Sequence, residues 1–215
     1  MPVCPGIARL TGHRHNMERM PDSDKLLVGL GNPGARYERT RHNVGFMALE
    51  HFIRSLGPVS WQEKFSGRFF RWRLDCNSVF LAEPLTYMNR SGRFVAPLAR
   101  FYKIPLVNIL VVHDDLDLAF GRIKVVAKGG SGGHNGVRSL IAELGSSEFA
   151  RIRIGIGRPP KNDQGYAMPV DHFVLSPFSD EEEKQLDPVL ARCDQALELF
   201  AREGVTAAMN RVNRR

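Results

Sequence analysis

The spacing of apolar positions changes repeatedly along this chain, and these changes distinguish its strands from its helices. Residues 26–28 form a short continuous apolar run, whereas residues 44–57 repeat their apolar positions every three or four residues. The first pattern predicts a buried strand and the second an amphipathic helix. Similar patterns predict strands over residues 69–75, 79–84, 108–115, 121–128 and 151–157, and helices over residues 90–104, 134–145 and 180–200. This alternation predicts an α/β fold, a single-domain three-layer sandwich with a twisted mixed β-sheet flanked by helices.

Local signals delimit several of these elements. The strands on either side of Cys76–Ser78 are predicted to form a hairpin. Ser179 and Glu182 have the spacing of a capping box at the start of the last long helix, and Pro97 is expected to kink the helix that contains it. No repeat or linker interrupts residues 25–215, so these residues are predicted to form one domain.

Composition and charge narrow the class of protein. The chain has 215 residues, 43% of them hydrophobic, which is enough for a sizeable core. Its net charge of +7 and pI of 9.7 fit an anionic partner, and they fit an ordinary basic protein equally well. The three cysteines include no C-x-x-C pair, so neither a disulfide framework nor a zinc site is predicted. A reducing, cytoplasmic location is expected.

Residues 1–24 differ from the rest of the chain. They are polar and basic and lack the apolar core of a signal peptide, so we expect a disordered N-terminal extension. No segment of the chain approaches the roughly 20 consecutive apolar residues of a membrane span. Neither membrane insertion nor a membrane partner is therefore expected.

The first strand leads into the sequence GLGNPG, which satisfies the G-x-G-x-x-G pattern of dinucleotide-binding loops. The ribose-binding acid of that motif should follow about 20 residues later at the end of a second strand. Glu50 has this distance but lies within a predicted helix, and Pro33 lacks a backbone N–H for a pyrophosphate. A dinucleotide site is therefore not favoured, and Asn32 and His42 become the more interesting residues of this segment.

Further polar residues end the predicted strands or begin the helices. The apolar strand 108–112 runs directly into His113 and Asp114, where a carboxylate can bind an imidazole at the edge of the sheet. Asp115 and Asp117 are interpreted as solvated capping residues. An Asn side chain offers both donors and an acceptor for gripping an ester or amide, although it is also a common helix cap. Asn89 and Asn135 have such positions, and for Asn135 both readings stay open.

The glycine-rich sequence GGSGG, residues 129–133, allows a different chemistry. It matches the G-x-S-x-G nucleophile elbow, with Ser131 as the nucleophile and Asp163 and His172 following in the required order. Four glycines make a flexible loop, however, whereas the elbow requires a strained, fixed turn. A serine hydrolase is therefore the weaker alternative, and a glycine-rich loop before a helix also suits a phosphate.

Taken in order, six segments of this sequence resemble one known family. They are GLGNPG, Tyr37 followed by TRHN, TYMNRSG, VHDDLDL, GGSGGHNGVRS and RIRIGIGRP. Their order and spacing over residues 25–212 are similar to those of bacterial-type peptidyl-tRNA hydrolase. The resemblance implies an enzyme that cleaves the ester between a peptide and the 3′ ribose of tRNA, which recycles tRNA from stalled translation. It implies neither a cofactor, nor a metal, nor a covalent nucleophile.

The resemblance also implies roles for individual residues. His42 would be the base that activates water, and Asp114 would hold His42 in its basic form. Asn32 would sense the peptide portion of the substrate. The remaining contacts to the substrate ester, the peptide and the tRNA end would come from Tyr37, Tyr87, Met88, Asn89 and Asn135. A monomer is expected, because the sequence shows no obvious apolar patch.

Basic residues concentrate between the glycine-rich loop and the last predicted strand, where they form either a solvated face or a tRNA contact. In the resembled family a basic pair and an arginine grip the tRNA 5′ phosphate, and the matching residues here are Lys124 and Arg153. Val126 stands where the second basic residue of the pair is usual, and Lys128 is a possible substitute. A third hypothesis is a non-catalytic RNA-binding relative with the same fold.

Overall fold

A computed structural model describes residues 24–75, 77–161, 165 and 167–214. The predicted disordered extension, residues 1–24, lies outside the described residues except for Asp24. The strands are β1 (Lys25–Gly29), β2 (Gln62–Lys64), β3 (Gly67–Leu74), β4 (Asn77–Pro84), β5 (Ile109–Asp115), β6 (Ile123–Val126) and β7 (Ala150–Gly155). The helices are α1 (Val44–Arg54), α2 (Gly92–Phe101), α3 (Asn135–Leu144), α4 (Val170–Val174), α5 (Asp180–Glu203) and α6 (Val205–Val212).

The seven strands form one mixed sheet in the order β2-β3-β4-β1-β5-β7-β6. β1 lies in the middle and pairs in parallel with both β4 and β5. The predicted hairpin of β3 and β4 is antiparallel, as is the β6–β7 pair at the other end. β4 and β5 lie on opposite sides of β1, so the chain connections that leave β1 and its neighbours run in opposite directions from this point. In α/β sheets, ligand-binding sites form at the carboxyl ends of strands at such a point.

Helices cover both faces of the sheet. Apolar residues of α1, α5 and α6 pack on one face in a cluster that includes Phe52, Leu197 and Ala208. Apolar residues of α2 and α3 pack on the other face with Phe94 and Leu140. The strands supply both layers because consecutive side chains point to opposite faces. The predicted three-layer α/β sandwich with a mixed sheet is confirmed.

The start of α1 packs unusually closely on the carboxyl ends of the central strands. A Cβ atom at Gly45 would lie 2.4 Å from the Val112 carbonyl oxygen and 2.6 Å from that of Leu30. Only a residue without a side chain fits such a contact. This approach holds the residues that precede α1 directly above the ends of β1 and β5.

Two helix signals read from the sequence have different outcomes. The capping box at α5 is present, since Ser179 accepts from the Glu182 backbone N–H and Glu182 accepts from that of Ser179. At α3, the N-cap residue is His134 and not Asn135, so the capping interpretation of Asn135 is wrong. His134 caps the helix because its ring Nδ1 accepts hydrogen bonds from N–H groups in the first turn of α3.

The outer edge of β6 is partly covered by the end of the chain. The Asn213 side chain accepts a hydrogen bond from the Val125 N–H and donates one to the Val125 carbonyl, each at 2.8 Å.

Among the described residues, no helix has the length and hydrophobicity needed to cross a membrane.

Candidate active site

His42 and Asp114 meet at the carboxyl edge of the sheet, although 72 residues separate them along the chain. His42 belongs to a short 3-10 helix, Arg41–Asn43, that leads into α1, and Asp114 lies near the end of β5. The distance from His42 Nδ1 to Asp114 Oδ1 is 2.8 Å. A carboxylate at this distance accepts a hydrogen bond from Nδ1–H, which leaves Nε2 of the neutral ring with its lone pair free.

A second imidazole, that of His134, contacts the same oxygen of Asp114. Its Nε2 lies 2.9 Å from Asp114 Oδ1. Its Nδ1 accepts from the backbone N–H groups of Gly136 and Val137, so the ring proton must be on Nε2. The His42 and His134 ring centroids are 4.9 Å apart. One carboxylate oxygen therefore accepts hydrogen bonds from two imidazoles.

The charge of Asp114 is set by opposing effects. Its side chain is 3% exposed, and burial alone favours the neutral acid. The charges and hydrogen bonds of His134 and His42 oppose burial and hold the pKa of Asp114 well below its usual range. Asp114 is therefore a buried carboxylate with two imidazole partners.

His113 is a third buried imidazole next to this pair. Its Nδ1 donates to the Asp114 backbone carbonyl at 2.7 Å, and its ring packs edge-to-face on that of His134. Burial, reinforced by the nearby His134, lowers the pKa of His113 to about 3. His113 is therefore neutral at physiological pH, and its Nε2 has no hydrogen-bond partner among the residues that the structure describes.

Asn32 and Met88 lie together in the loops that follow β1 and β4. The Met88 N–H donates to Asn32 Oδ1 at 2.8 Å, and both residues are almost fully buried. Because this acceptor oxygen is occupied by a backbone donor, the Asn32 side-chain NH₂ group is the part left for a ligand. Asn32 can therefore bind a carbonyl oxygen.

Four of the predicted substrate contacts are accessible to solvent. The Tyr37 and Tyr87 rings form an edge-to-face pair with centroids 6.5 Å apart, and Tyr87 is 54% exposed. Asn89 and Asn135 are exposed as well, and Asn135 Oδ1 accepts from Arg138 at 2.6 Å. Exposed amides and aromatic rings suit contacts with a nucleic acid.

The predicted phosphate-binding residues differ in their ion pairs. Lys124 and Arg153 lie directly opposite each other on β6 and β7. Arg153 pairs with Asp115, and Lys128 pairs with Glu148 at 3.0 Å. Among the described residues, Lys124 has no carboxylate partner within ion-pair distance. Lys124 is therefore the least neutralised of the three cations.

The interpretation of Asp115 as a solvated residue is wrong. Its side chain is 9% exposed and paired with Arg153, because the parallel β5–β7 pairing places Arg153 opposite His113, two residues before Asp115 on β5. Asp117 is exposed, as expected, and pairs with Arg158.

The structure gives the serine-hydrolase alternative little support. Ser131 lies in the loop before α3, and no hydrogen bond joins its hydroxyl to a histidine within the described part of the chain. His172 is exposed in α4, and Asp163 lies outside the described residues. The described residues do not assemble the triad that this alternative requires.

Among the described residues, one group has the spacing of a metal site. The ligand atoms of His42, Asp114 and His134 all lie within 4.8 Å of one another. The two hydrogen bonds to Asp114 account for this spacing without an ion, because each ring nitrogen that faces the carboxylate carries a proton. An ion would have to displace both protons.

Two residues at this site were not identified from the sequence. His134 follows the glycine-rich loop, and Asn43 follows His42. The Asn43 side chain bonds to the backbone of Asn32. The sequence shows only that His134 lies at a helix start and that Asn43 follows the proposed base. Neither position indicates which group the side chain bonds.

Comparisons with known proteins point to one family. The family model described as peptidyl-tRNA hydrolase matches residues 26–215. A peptidyl-tRNA hydrolase from Symbiobacterium thermophilum is 51% identical over 191 residues, covering 88% of this chain and 98% of the relative. One from Citrifermentans bemidjiense is 48% identical, covering 89% and 98%.

A crystal structure of peptidyl-tRNA hydrolase from Acinetobacter baumannii superposes with a TM-score of 0.79 at 37% identity, covering 88% of this chain and 94% of that one. The region that the family model matches, residues 26–215, includes His42, Asp114 and the surrounding amides. The chain therefore belongs to the peptidyl-tRNA hydrolase family.

Proposed function

We propose that hydrolysis of peptidyl-tRNA by this chain proceeds through a water molecule activated by His42. The observation that carries this proposal is the 2.8 Å contact between His42 Nδ1 and Asp114, which fixes the tautomer and leaves Nε2 as the base. Water attacks the ester carbonyl carbon while Nε2 takes its proton. The bond from that carbon to the 3′ oxygen of the ribose then breaks, and the proton passes to the leaving oxygen. Peptide and tRNA are the products.

The amide and imidazole groups around His42 support this assignment. The Asn32 NH₂ group is a donor for a substrate carbonyl, and Met88 lies beside it to contact the peptide. A preorganised donor at a developing oxyanion contributes about 3 kcal/mol to catalysis. Asp114 remains a carboxylate and stabilises the imidazolium that forms on His42.

The tRNA acceptor end and its 3′ terminus are proposed to bind across the exposed residues near the site. Tyr37, Tyr87, Asn89 and Asn135 would contact the terminal nucleotides, and the cations of the β6–β7 region would contact phosphates. Lys124, Lys128 and Arg153 are the proposed cations. The net charge of +7 favours this partner and opposes self-association. The enzyme is proposed to act as a monomer in the cytoplasm, where translation supplies its substrate.

The test of this function is hydrolysis of N-acetylaminoacyl-tRNA by the His42→Ala variant. We expect kcat to fall by about 10²–10⁴-fold, because the general base is lost. Affinity for tRNA, measured with a non-hydrolysable analogue, should stay within about twofold of the wild type, since an imidazole is not the main phosphate contact. Unblocked aminoacyl-tRNA should be a poor substrate for the wild type.

His172→Ala is the matched control because His172 is exposed on α4 and contacts none of these groups. It should keep the wild-type rate. A His42→Ala enzyme with normal turnover per bound substrate would contradict the assignment of the base. A wild-type protein that binds tRNA without hydrolysing the blocked substrate would instead identify a non-catalytic RNA-binding relative.

A further inference from the structure

Asn43 holds the backbone of Asn32 through two hydrogen bonds. The Asn32 N–H donates to Asn43 Oδ1 at 2.8 Å, and Asn43 Nδ2 donates to the Asn32 carbonyl at 2.9 Å. The assignment of the two amide ends is unambiguous, because a backbone N–H only donates and a backbone carbonyl only accepts. Asn43 is 2% exposed, so loss of these bonds would leave buried polar groups without partners.

Asn43 makes these bonds instead of capping its own helix. It occupies the N-cap position of α1, where Asn is among the preferred residues because its side chain accepts from the first turn. No such side-chain bond is present. The side chain is directed at the Asn32 loop, so the residue does not serve the stability of α1 in the usual way.

Two hydrogen bonds thus join Asn43, the neighbour of His42, to the Asn32 backbone, and a third holds the Asn32 side chain. Asn43 sets the orientation of the Asn32 backbone, and the Met88 N–H takes up Asn32 Oδ1. With the Asn32 backbone and Oδ1 bonded in this way, the side-chain NH₂ group is the part of Asn32 left to bind substrate. We infer that Asn43 is a positioning residue, which aims the Asn32 NH₂ group at the substrate carbonyl and couples it to the segment that carries His42.

The loop itself has a second support. The Phe46 ring of α1 packs so closely on Gly31 that a Cβ atom there would lie 2.5 Å from it. This contact does not involve Asn43. The loop should therefore stay in place when Asn43 is changed, and the Asn32 side chain should lose its fixed orientation.

The first test is a double-mutant cycle in the full-length enzyme, with N-acetylaminoacyl-tRNA as substrate. Asn43→Ala should lower kcat/KM about tenfold, the usual effect of a lost buried hydrogen bond. In an Asn32→Ala background the same change should have almost no further effect, because Asn43 acts through Asn32. Full additivity of the two changes would overturn the inference.

The second test measures the Met88 amide, whose hydrogen exchange is followed by NMR without substrate. Asn43→Ala should accelerate exchange at Met88 about tenfold, whereas amides in the middle of β5 should be unaffected. Unchanged Met88 protection would overturn the inference. If Asn43→Ala does not fold, Asn43→Asp serves in its place, because it keeps the bond from the Asn32 N–H and loses the donated one.

Asn108→Ala is the matched control. Asn108 is also a buried Asn bonded to a backbone carbonyl, that of Asp24, but it precedes β5 at the edge opposite Asp114. It should leave kcat/KM and Met88 exchange unchanged.

This inference rests on the function proposed above, but different results would contradict the inference and the proposed function. An Asn32→Ala enzyme with full activity would refute the role of Asn32, whereas an impaired Asn32→Ala beside a normal Asn43→Ala would refute only the role of Asn43.

Discussion

Glu83 is an acidic residue whose ionisation is opposed by its surroundings. It lies on β4 with no exposed surface, and burial raises its pKa from 4.5 to about 7 although Arg68 opposes this effect. Between these two values the folded chain holds a proton that the unfolded chain releases. Glu83 should therefore contribute a decrease in the free energy of unfolding as pH rises from 4.5 to 7, by at most about 1.4 kcal/mol per pH unit. His113 contributes an increase up to pH 6.5, because its pKa is lowered from 6.5 to about 3 in the folded chain, so the Glu83 contribution is measured as a difference between variants.

Denaturant unfolding at pH 5 and pH 7 measures this effect in the wild type and in Glu83→Gln. The variant should lack the Glu83 contribution and keep that of His113, so its free energy of unfolding should rise relative to that of the wild type between the two pH values. Asp114 does not interfere, because its lowered pKa acts only below its usual range. Glu198→Gln is the control, since Glu198 also pairs with an arginine, Arg202, but its side chain is 50% exposed. Parallel pH dependence in wild type and Glu83→Gln would show that Glu83 is ionised throughout.

Residues of the site differ in how far the sequence predicts them. The apolar run of β5 ending in Asp114 placed a carboxylate at the sheet edge, and the family resemblance pointed to His42 as its partner. No comparable sequence pattern marks Asn43 or His134. Asn43 bonds to the backbone of Asn32, and His134 bonds to the Asp114 oxygen that already accepts from His42. Such partners depend on the folded path of the loops, which periodicity does not encode.

At the scale of elements, the junction of α1 with the sheet leaves no space for an added side-chain atom. Gly45→Ala would bring a methyl group within 2.4 Å of the Val112 carbonyl. We expect this variant to lose about 1–3 kcal/mol of stability, the usual cost of overpacking. It should also lower kcat, because the displaced helix start carries His42 away from Asp114.

Thermal unfolding and the rate of ester hydrolysis measure the two effects. Gly130→Ala is the comparison for stability, because a Cβ atom there meets no atom within 4 Å. It should unfold close to the wild type. If Gly45→Ala were as stable and as active as the wild type, the helix start would have more freedom than the contact distances indicate.

Elements with strong patterns were predicted, and weakly patterned ones were not. The apolar strands β1 and β5 and the amphipathic helix α1 follow their predicted ranges closely. β2 was missed because its three exposed residues show no alternation of apolar and polar positions. It is a strand only because β3 pairs with it. Tertiary pairing of this kind is not visible in a local sequence window.

For the molecule as a whole, the proposed tRNA contacts predict a dependence on salt. If Lys124 neutralises a phosphate, Lys124→Ala should reduce the slope of log affinity against log salt by about 0.7. Lys128→Ala should reduce it less, because Glu148 already neutralises Lys128. Titration of labelled tRNA at several KCl concentrations provides both slopes. An unchanged slope for Lys124→Ala would show that Lys124 contacts no phosphate.

The Asn213 side chain has a consequence for the outer margin of the sheet. An outermost strand normally offers unpaired N–H and carbonyl groups to any extended segment that reaches it. At Val125 both groups are already taken by one amide. A strand from another copy would have to break both of these hydrogen bonds before it could pair with β6 at Val125, so the Asn213 side chain disfavours intermolecular strand pairing at this position.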